Sequence, residues 1–144
     1  MKIDPKKMKI LAVDDDPPSR ELLQTILEAH GYQVMTAGSG KEGLAILQAL
    51  PVDLVMTDLR MPGMDGLAFL KAARGILPGL PVVITTAHAS IDSAVEAVKL
   101  GAYGYLTKPL TNDRVLHLAH RALEERQLRE ENIYLRRQLE ERLR

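Results

Sequence analysis

The feature that most constrains this chain is the alternation of short apolar, β-branched runs with longer segments of helical period. Ile10–Val13, Val34–Thr36, Leu54–Thr57, Val82–Thr85 and Tyr105–Thr107 have the length and composition of strands. Leu22/Leu23/Ile26/Leu27, Leu44/Leu47, Leu67/Leu70 and Ile91/Val95/Val98 recur at the spacing of helix faces. Five strand–helix repeats predict an α/β fold with one parallel sheet, because parallel strands need crossover helices and those helices cover both faces. The punctuation agrees. Asp16 before Pro17 and Pro18 can cap the first helix, His30 and Gly31 suit its end, and Gly101 closes the fourth. A chain of 144 residues is about one such domain.

The last segment breaks the pattern. From Asn112 to Arg144 there is no Gly or Pro, so nothing in the sequence interrupts one helix of roughly 50 Å at 1.5 Å per residue. Its first part carries an apolar stripe (Val115, Leu116, Ala119, Ala122, Leu123) that can cover the sheet. Beyond Glu124 the composition shifts to Glu, Arg, Gln and Leu, so the helix is expected to leave the globule. Leu128, Asn132, Leu135 and Leu139 follow one another at spacings of 4, 3 and 4, with Leu143 a turn further, which is the seam of a coiled coil. An Asn among leucines at such a seam favours two strands in fixed register. Charge pairs such as Glu125/Arg129 are expected to support the helix. These features divide the chain into a globular domain at 8–123 and a helical, coiled-coil-like linker at 124–144.

Charge excludes several functions. Lys+Arg and Asp+Glu both number 19, so no net field draws the chain to nucleic acid or to a membrane surface. The linker has six basic and six acidic residues and is no basic arm. No run of 18 apolar residues occurs, and Met1–Lys9 has no apolar stretch behind it long enough for a signal peptide. There is no cysteine, hence no disulfide scaffold or zinc–thiolate site. A cytoplasmic protein is expected.

Chemistry converges on one rim. Asp14, Asp15 and Asp16 follow the first strand, Asp58 ends the third, Thr86 ends the fourth, and Lys108 with Pro109 follows the fifth. All are carboxyl ends of strands, where doubly wound sheets bind ligands. Carboxylates crowded there would repel and raise one another's pKa unless a cation intervened. Oxygen-only ligands on a wet rim suit Mg²⁺. A carboxylate is also a competent nucleophile in phosphoryl transfer, with the metal and Lys108 neutralising the charge and Thr86 donating a hydrogen bond.

VDDDPPSR at 13–20, DLVMTDLRMPGMDGL at 53–67, TTAH at 85–88 and YLTKP at 105–109 resemble the response-regulator receiver family of bacterial two-component signalling. The resemblance implies a flavodoxin-like (βα)5 doubly wound sheet of order 2-1-3-4-5 with an extended C-terminal helix. It implies that Asp58 accepts a phosphoryl group from a sensor histidine kinase. Asp15 would be a direct Mg²⁺ ligand beside Asp58, with Asp14 acting through water and the Arg60 backbone carbonyl completing the site. Thr86 and Lys108 match the phosphate-sensing hydroxyl and lysine, and Tyr105 matches the switch aromatic. Arg60 and His88 match positions that tune phosphate loss, and a shielded, long-lived acyl phosphate is expected. Ala87 matches the small residue that leaves a phosphodonor room to approach. Lys108–Pro109 is expected to be cis. Such a domain is a switch with slow self-dephosphorylation, not an enzyme that turns over metabolites. The segment from Thr86 to Pro109 followed by RALEERQLREENIYLRRQLEER resembles the receiver plus linker of NtrC-type sigma-54-dependent transcriptional activators. That implies a transcriptional output domain and a homodimer formed through the last two helices.

Plainer readings stand beside these. Asp16 and Asp65 are expected to be helix caps. His117 and His120 have no evident third ligand for a metal. Gly38, Gly40 and Gly43 form GxGxxG, but after the second strand, with three carboxylates already at the first turn to repel a pyrophosphate; they are expected to serve turns and packing. Asp14–Asp16 also has the spacing of haloacid-dehalogenase-like aspartyl-phosphate hydrolases with Asp14 as nucleophile, although Pro18 departs from that pattern. A constitutive dimerisation module is the remaining alternative.

Overall fold

The computed structural model describes residues 3–144; Met1 and Lys2, part of the polar N-terminus noted above, lie outside the described residues. A 3₁₀ turn at Pro5–Lys7 precedes five βα units: β1 Lys9–Val13, α1 Pro17–Ala29, β2 Gln33–Ala37, α2 Gly40–Ala49, β3 Leu54–Asp58, α3 Gly66–Ile76, β4 Val82–Thr86, α4 Ile91–Lys99, β5 Gly104–Thr107 and α5 Asn112–Arg142. The strands form one sheet in the order β2-β1-β3-β4-β5, and each neighbouring pair is parallel. This is the flavodoxin-like topology expected, and each strand lies within a residue or two of its sequence assignment.

Alternation along the strands builds a core on each face. Ile10, Ala12, Leu54, Met56 and Val83 face α1 and α5, where Leu23, Leu27, Val115, Ala119, Ala122 and Leu123 complete one core. Leu11, Val13, Val55 and Val82 face α2 and α3, packing on Leu47, Phe69, Leu70 and Ala73. A smaller cluster of Leu59, Ile84 and Ala97 lies under α4. Leu116 packs at the edge of the first core rather than within it.

Four of the five helices begin with a side-chain cap. The Asp16, Ser39, Asp65 and Ser90 side chains accept from the backbone N–H groups of Ser19, Glu42, Ala68 and Ser93, which satisfies donors that a helix start leaves open. Thr111, at the start of α5, makes no side-chain cap bond. Gly31 and Gly101 end α1 and α4 at φ 98° and 93°, a region that side chains with a Cβ rarely enter. The GxGxxG glycines serve packing: a Cβ on Gly43 would meet Phe69 and Val13 at 3.0 and 3.1 Å, and one on Gly40 would meet Met64.

α5 is continuous for 31 residues. It starts at the carboxyl end of the sheet, crosses it, and is tied at the opposite end by an ion pair between Arg126 and Asp53, whose other oxygen accepts from the Lys9 N–H at 2.8 Å. From Leu128 onward every residue is exposed, including the seam leucines. The charge ladder differs from expectation. Arg121–Glu125 and Arg126–Glu130 are the i,i+4 ion pairs among the described residues, with His120 Nε2 3.3 Å from Glu124, and Glu125/Arg129 is not among them. Glu125 pairs with Arg121 instead, and the Tyr103 hydroxyl, chiefly through burial and also through the nearby Glu125, is pushed up to about 12. No helix among the described residues is long and apolar enough to cross a membrane.

Candidate functional site

β1 and β3 are neighbours whose chains turn to opposite sides, so their carboxyl ends flank the switch point of the sheet. The register carries Asp14 just past β1, Asp58 to the last position of β3 opposite Thr85, and Thr86 to the end of β4 opposite Thr107. Lys108 then follows β5. The four segments named from sequence meet in space.

Oxygens of Asp14, Asp15 and Asp58 all lie within 4.8 Å of one another, and Lys108 reaches into the same cluster. Its Nζ donates to Asp14 Oδ2 at 2.9 Å and lies 3.6 Å from Asp58 Oδ1. Asp14 is buried. Its second oxygen accepts from the Asp16 N–H at 2.9 Å, and the Arg20 guanidinium donates to its backbone carbonyl at 2.7 Å. Asp58 is also buried, with Oδ1 accepting from the Leu59 N–H at 2.9 Å. Asp15 is exposed.

Burial pushes the Asp58 carboxyl above its ordinary pKa, and Asp14 and more weakly Asp15 push the same way; Lys108 and the Leu59 N–H offset part of this. Burial alone would lower Lys108, but its hydrogen bond to Asp14 and the charges of Asp14 and Asp58 outweigh it, so the ammonium is held above its ordinary value. Asp16 has the opposite fate. Its exposed carboxylate accepts from the Ser19 hydroxyl and N–H, which lowers its pKa, and it stands outside the three-carboxylate cluster as a cap.

Three oxygen donors, one of them a buried carboxylate destabilised by its neighbours, fit a hard divalent cation such as Mg²⁺. His117 and His120 join no metal-ligating cluster among the described residues, and His120 pairs with Glu124.

The other sequence candidates sit around this centre. Thr86 is fully buried, and its hydroxyl oxygen accepts from the His88 N–H at 2.9 Å. Tyr105 is half-buried and its hydroxyl lies 2.7 Å from Ser93 Oγ on α4. Arg60 is exposed and lines, with Leu59, Met61, Pro62, Asp65, Leu67 and Ser93, a cleft of about 550 Å³ beside the acidic cluster. Lys108–Pro109 is cis, as expected. Sequence reasoning missed Arg20, Ser93 and the Leu59 amide. Arg20 stands one helical turn beyond Asp16, a position from which a long side chain can reach back over the β1–α1 turn; the other two carry no sequence signal.

The family model for the response regulator receiver domain matches residues 10–120. Among curated proteins, the transcriptional regulatory protein GlrR of Escherichia coli K12 is 45% identical over 120 residues, covering 83% of this chain and 27% of GlrR. The C4-dicarboxylate transport transcriptional regulatory protein DctD of Rhizobium meliloti is 41% identical over 131 residues, 91% of this chain and 28% of DctD. The chain thus spans little more than a quarter of the length of these relatives. Among solved structures, the receiver domain of NtrX from Brucella abortus is 40% identical with a TM-score of 0.74, over 80% of this chain and 98% of that one. A CheY-like receiver domain protein from Methanospirillum hungatei is 31% identical with a TM-score of 0.81, over 85% of this chain and 98% of that one.

Proposed function

The chain belongs to the response regulator receiver domain family, and from that premise we propose that Asp58 accepts a phosphoryl group from a sensor histidine kinase and so switches a transcriptional output. One observation carries the reading: a buried carboxylate, raised in pKa by burial and by Asp14, sits 3.6 Å from a lysine at the carboxyl end of a parallel sheet.

Asp15 and Asp58, with the Arg60 carbonyl and with Asp14 through water, would hold Mg²⁺, which when bound supplies charge neutralisation for the incoming trianion. An Asp58 oxygen attacks phosphorus as the bond to the donor's histidine nitrogen breaks. Lys108 is already charged and needs only to turn from Asp14 to a phosphoryl oxygen. Thr86 can exchange its contact with the His88 N–H for one with the phosphoryl group, and Tyr105 responds by leaving Ser93. Arg60 and His88 flank the path of attacking water and tune the lifetime of the acyl phosphate. Asp14 is a poor nucleophile by comparison, since both its oxygens are engaged by Lys108 and the Asp16 N–H.

Residues 8–123 act as the receiver and 124–144 as a linker whose Leu128–Leu139 seam pairs two copies, with α4 contributing. The protein works in the cytoplasm, touching neither membrane nor nucleic acid through these residues. By analogy with GlrR and DctD the signal passes to transcription, in the manner of sigma-54 activators.

Phosphotransfer tests the reading. Purified protein, Mg²⁺ and a histidine-kinase donor should yield one phosphate that maps to Asp58 and is absent from Asp58→Asn. A phosphate mapped to Asp14 would overturn it in favour of a hydrolase. Sedimentation that shows a monomer with and without beryllofluoride would overturn the dimer.

A further inference from the structure

We infer that Gly66 is a positioning residue for Asp58: the bare first turn of α3 holds the peptide on which the acceptor carboxylate is oriented. The inference rests on the phosphoacceptor reading for its consequence, but not for its geometry.

A Cβ built on Gly66 would lie 2.3 Å from the Asp58 carbonyl oxygen, 2.9 Å from Leu59 Cα and 3.1 Å from the Asp58 carbonyl carbon. All three are backbone atoms, so no side chain can swing aside. Among the glycines of the chain this is the closest backbone approach; Gly40, Gly101 and Gly104 would meet side-chain atoms. Gly66 does not have the positive φ of Gly31, Gly63 and Gly101, so it is not there for backbone freedom. Glycine is also a poor helix former, which makes it costly in an ordinary helix turn. Close approach is what remains to explain it.

The approach has a purpose at the site. The Gly66 N–H donates to the Leu59 carbonyl at 2.7 Å, and Asp65 next to it caps α3 through the Ala68 N–H at 2.8 Å. The Leu59 N–H is shared between Asp58 Oδ1 at 2.9 Å and the Thr85 carbonyl at 3.0 Å. α3 thus packs its bare first turn on the carbonyl of the Asp58–Leu59 peptide and bonds the peptide after it through the Leu59 carbonyl, while β4 holds the Leu59 N–H from the other side, and that N–H also holds one oxygen of the acceptor. With Oδ1 so held beside Lys108, the carboxylate's rotation is fixed and its other oxygen is left without a protein donor among the described residues. A methyl group at position 66 must push this peptide away from α3. The shift breaks the Gly66–Leu59 bond and turns the carboxylate off the shared N–H.

The test compares Gly66→Ala with Gly43→Ala, whose Cβ would press on Phe69 and Val13 side chains of the core without touching Asp58. Two readouts are taken on each folded variant. The first is the ¹H shift and exchange rate of the Leu59 amide in metal-free protein. The second is the beryllofluoride concentration that half-saturates the protein with Mg²⁺ present. Gly66→Ala should lose the downfield Leu59 signal and need roughly tenfold more beryllofluoride, while Gly43→Ala keeps both wild-type values even if it melts lower. An unchanged Leu59 amide in Gly66→Ala, or equal losses in the two variants, would overturn the inference. If the wild type takes up no beryllofluoride, the phosphoacceptor reading fails and the amide shift still decides the geometry. Should Gly66→Ala not fold at ordinary temperature, the same two readouts are taken on its folded fraction at reduced temperature, where an unmoved Leu59 amide would overturn the inference.

Discussion

Replacing Asp58 by Asn should make the metal-free domain more stable while abolishing its phosphorylation. Asp14 and Asp58 oxygens lie within 4.8 Å. At an effective dielectric of about 20 a charge pair at that spacing repels by roughly 3.5 kcal/mol, and exposed Asp15 adds roughly 1 kcal/mol after screening. Lys108, 3.6 Å away, returns roughly 4.6 kcal/mol on the same scale. The Leu59 N–H contributes a further ~1.5 kcal/mol, and burial of the carboxylate costs about 3 kcal/mol. The balance disfavours the ionised form by roughly 1–2 kcal/mol, in keeping with a carboxyl held above its ordinary value. Asn keeps an oxygen for the Leu59 N–H and removes the charge, so the variant should melt roughly 2–8 °C higher at neutral pH in EDTA. Because Asp58 titrates higher in the folded protein than in the unfolded chain, its penalty is complete above the folded pKa and fades as pH falls toward the ordinary value of 3.8. The melting gap should therefore narrow on acidification. Saturating Mg²⁺ should also narrow it, by stabilising the wild type more. Thermal melts across pH in EDTA measure all of this. An Asn variant that melts at or below wild type at neutral pH, or a gap indifferent to pH, would refute the electrostatic reasoning.

Other consequences are as direct. Arg126→Ala removes a partly exposed ion pair with Asp53 and should cost about 1 kcal/mol, with faster amide exchange in α5 around position 126 and no change at Asp58; equal exchange would show the pair to be ornamental. Leu135→Lys puts a charge in the seam and should yield monomers by sedimentation with an intact globular fold, so a dimer that survives it must form elsewhere. Tyr103 and Tyr32, both raised by burial, should ionise above the ordinary value of 10.0 in an alkaline titration. Neutral Tyr103 contributes stability that is complete below the ordinary value of 10.0 and lost as pH rises through about 12; Glu125→Gln should bring its titration down.

The strands and two of the helix starts were legible because each is signalled locally: short β-branched runs, and Asp16 and Asp65 one place before a helix. The acidic centre was legible because a parallel sheet sends every strand's carboxyl end to one rim, so spacing alone brings Asp14, Asp58, Thr86 and Lys108 together. Contacts between long side chains and distant backbone were not. Nothing local reveals that Arg126 meets Asp53 across 73 positions, or that Glu125 pairs with Arg121 rather than Arg129. The rotamer of Thr86, turned to His88, and that of Tyr105, turned to Ser93, depend on packing that no pattern encodes. Gly66 is a similar case, since its meaning lies in the backbone it touches.

Anchorage in this fold is uneven, and the unevenness follows the site. α4 has Ala97 as its one buried residue and leaves Ile91, Val95 and Val98 exposed, and it meets Tyr105 through the small Ala97 cluster and a hydroxyl pair with Ser93. α5 starts beside Lys108 and Pro109 without a side-chain cap, but its first turn is held by buried Val115 and by Arg114 on Thr107, and further along it is held by Ala119, Ala122, Leu123 and the Arg126–Asp53 pair. The weakly held part, α4, thus lies beside β5, next to Thr86 and Tyr105, and the strongly held part is α5, up to where that helix leaves the globule. Local opening follows anchorage, because segments with few buried apolar contacts open at low free energy. Hydrogen exchange in the metal-free protein should therefore be fast over α4 and slow along α5 from Ala119 to Gln127. A phosphoryl group that draws Thr86 away from His88 would act on the segment that yields most readily, and the base of α5 would carry its new arrangement outward as a rigid rod. Uniform protection along α5, or an α4 as protected as α3, would remove the basis for that route.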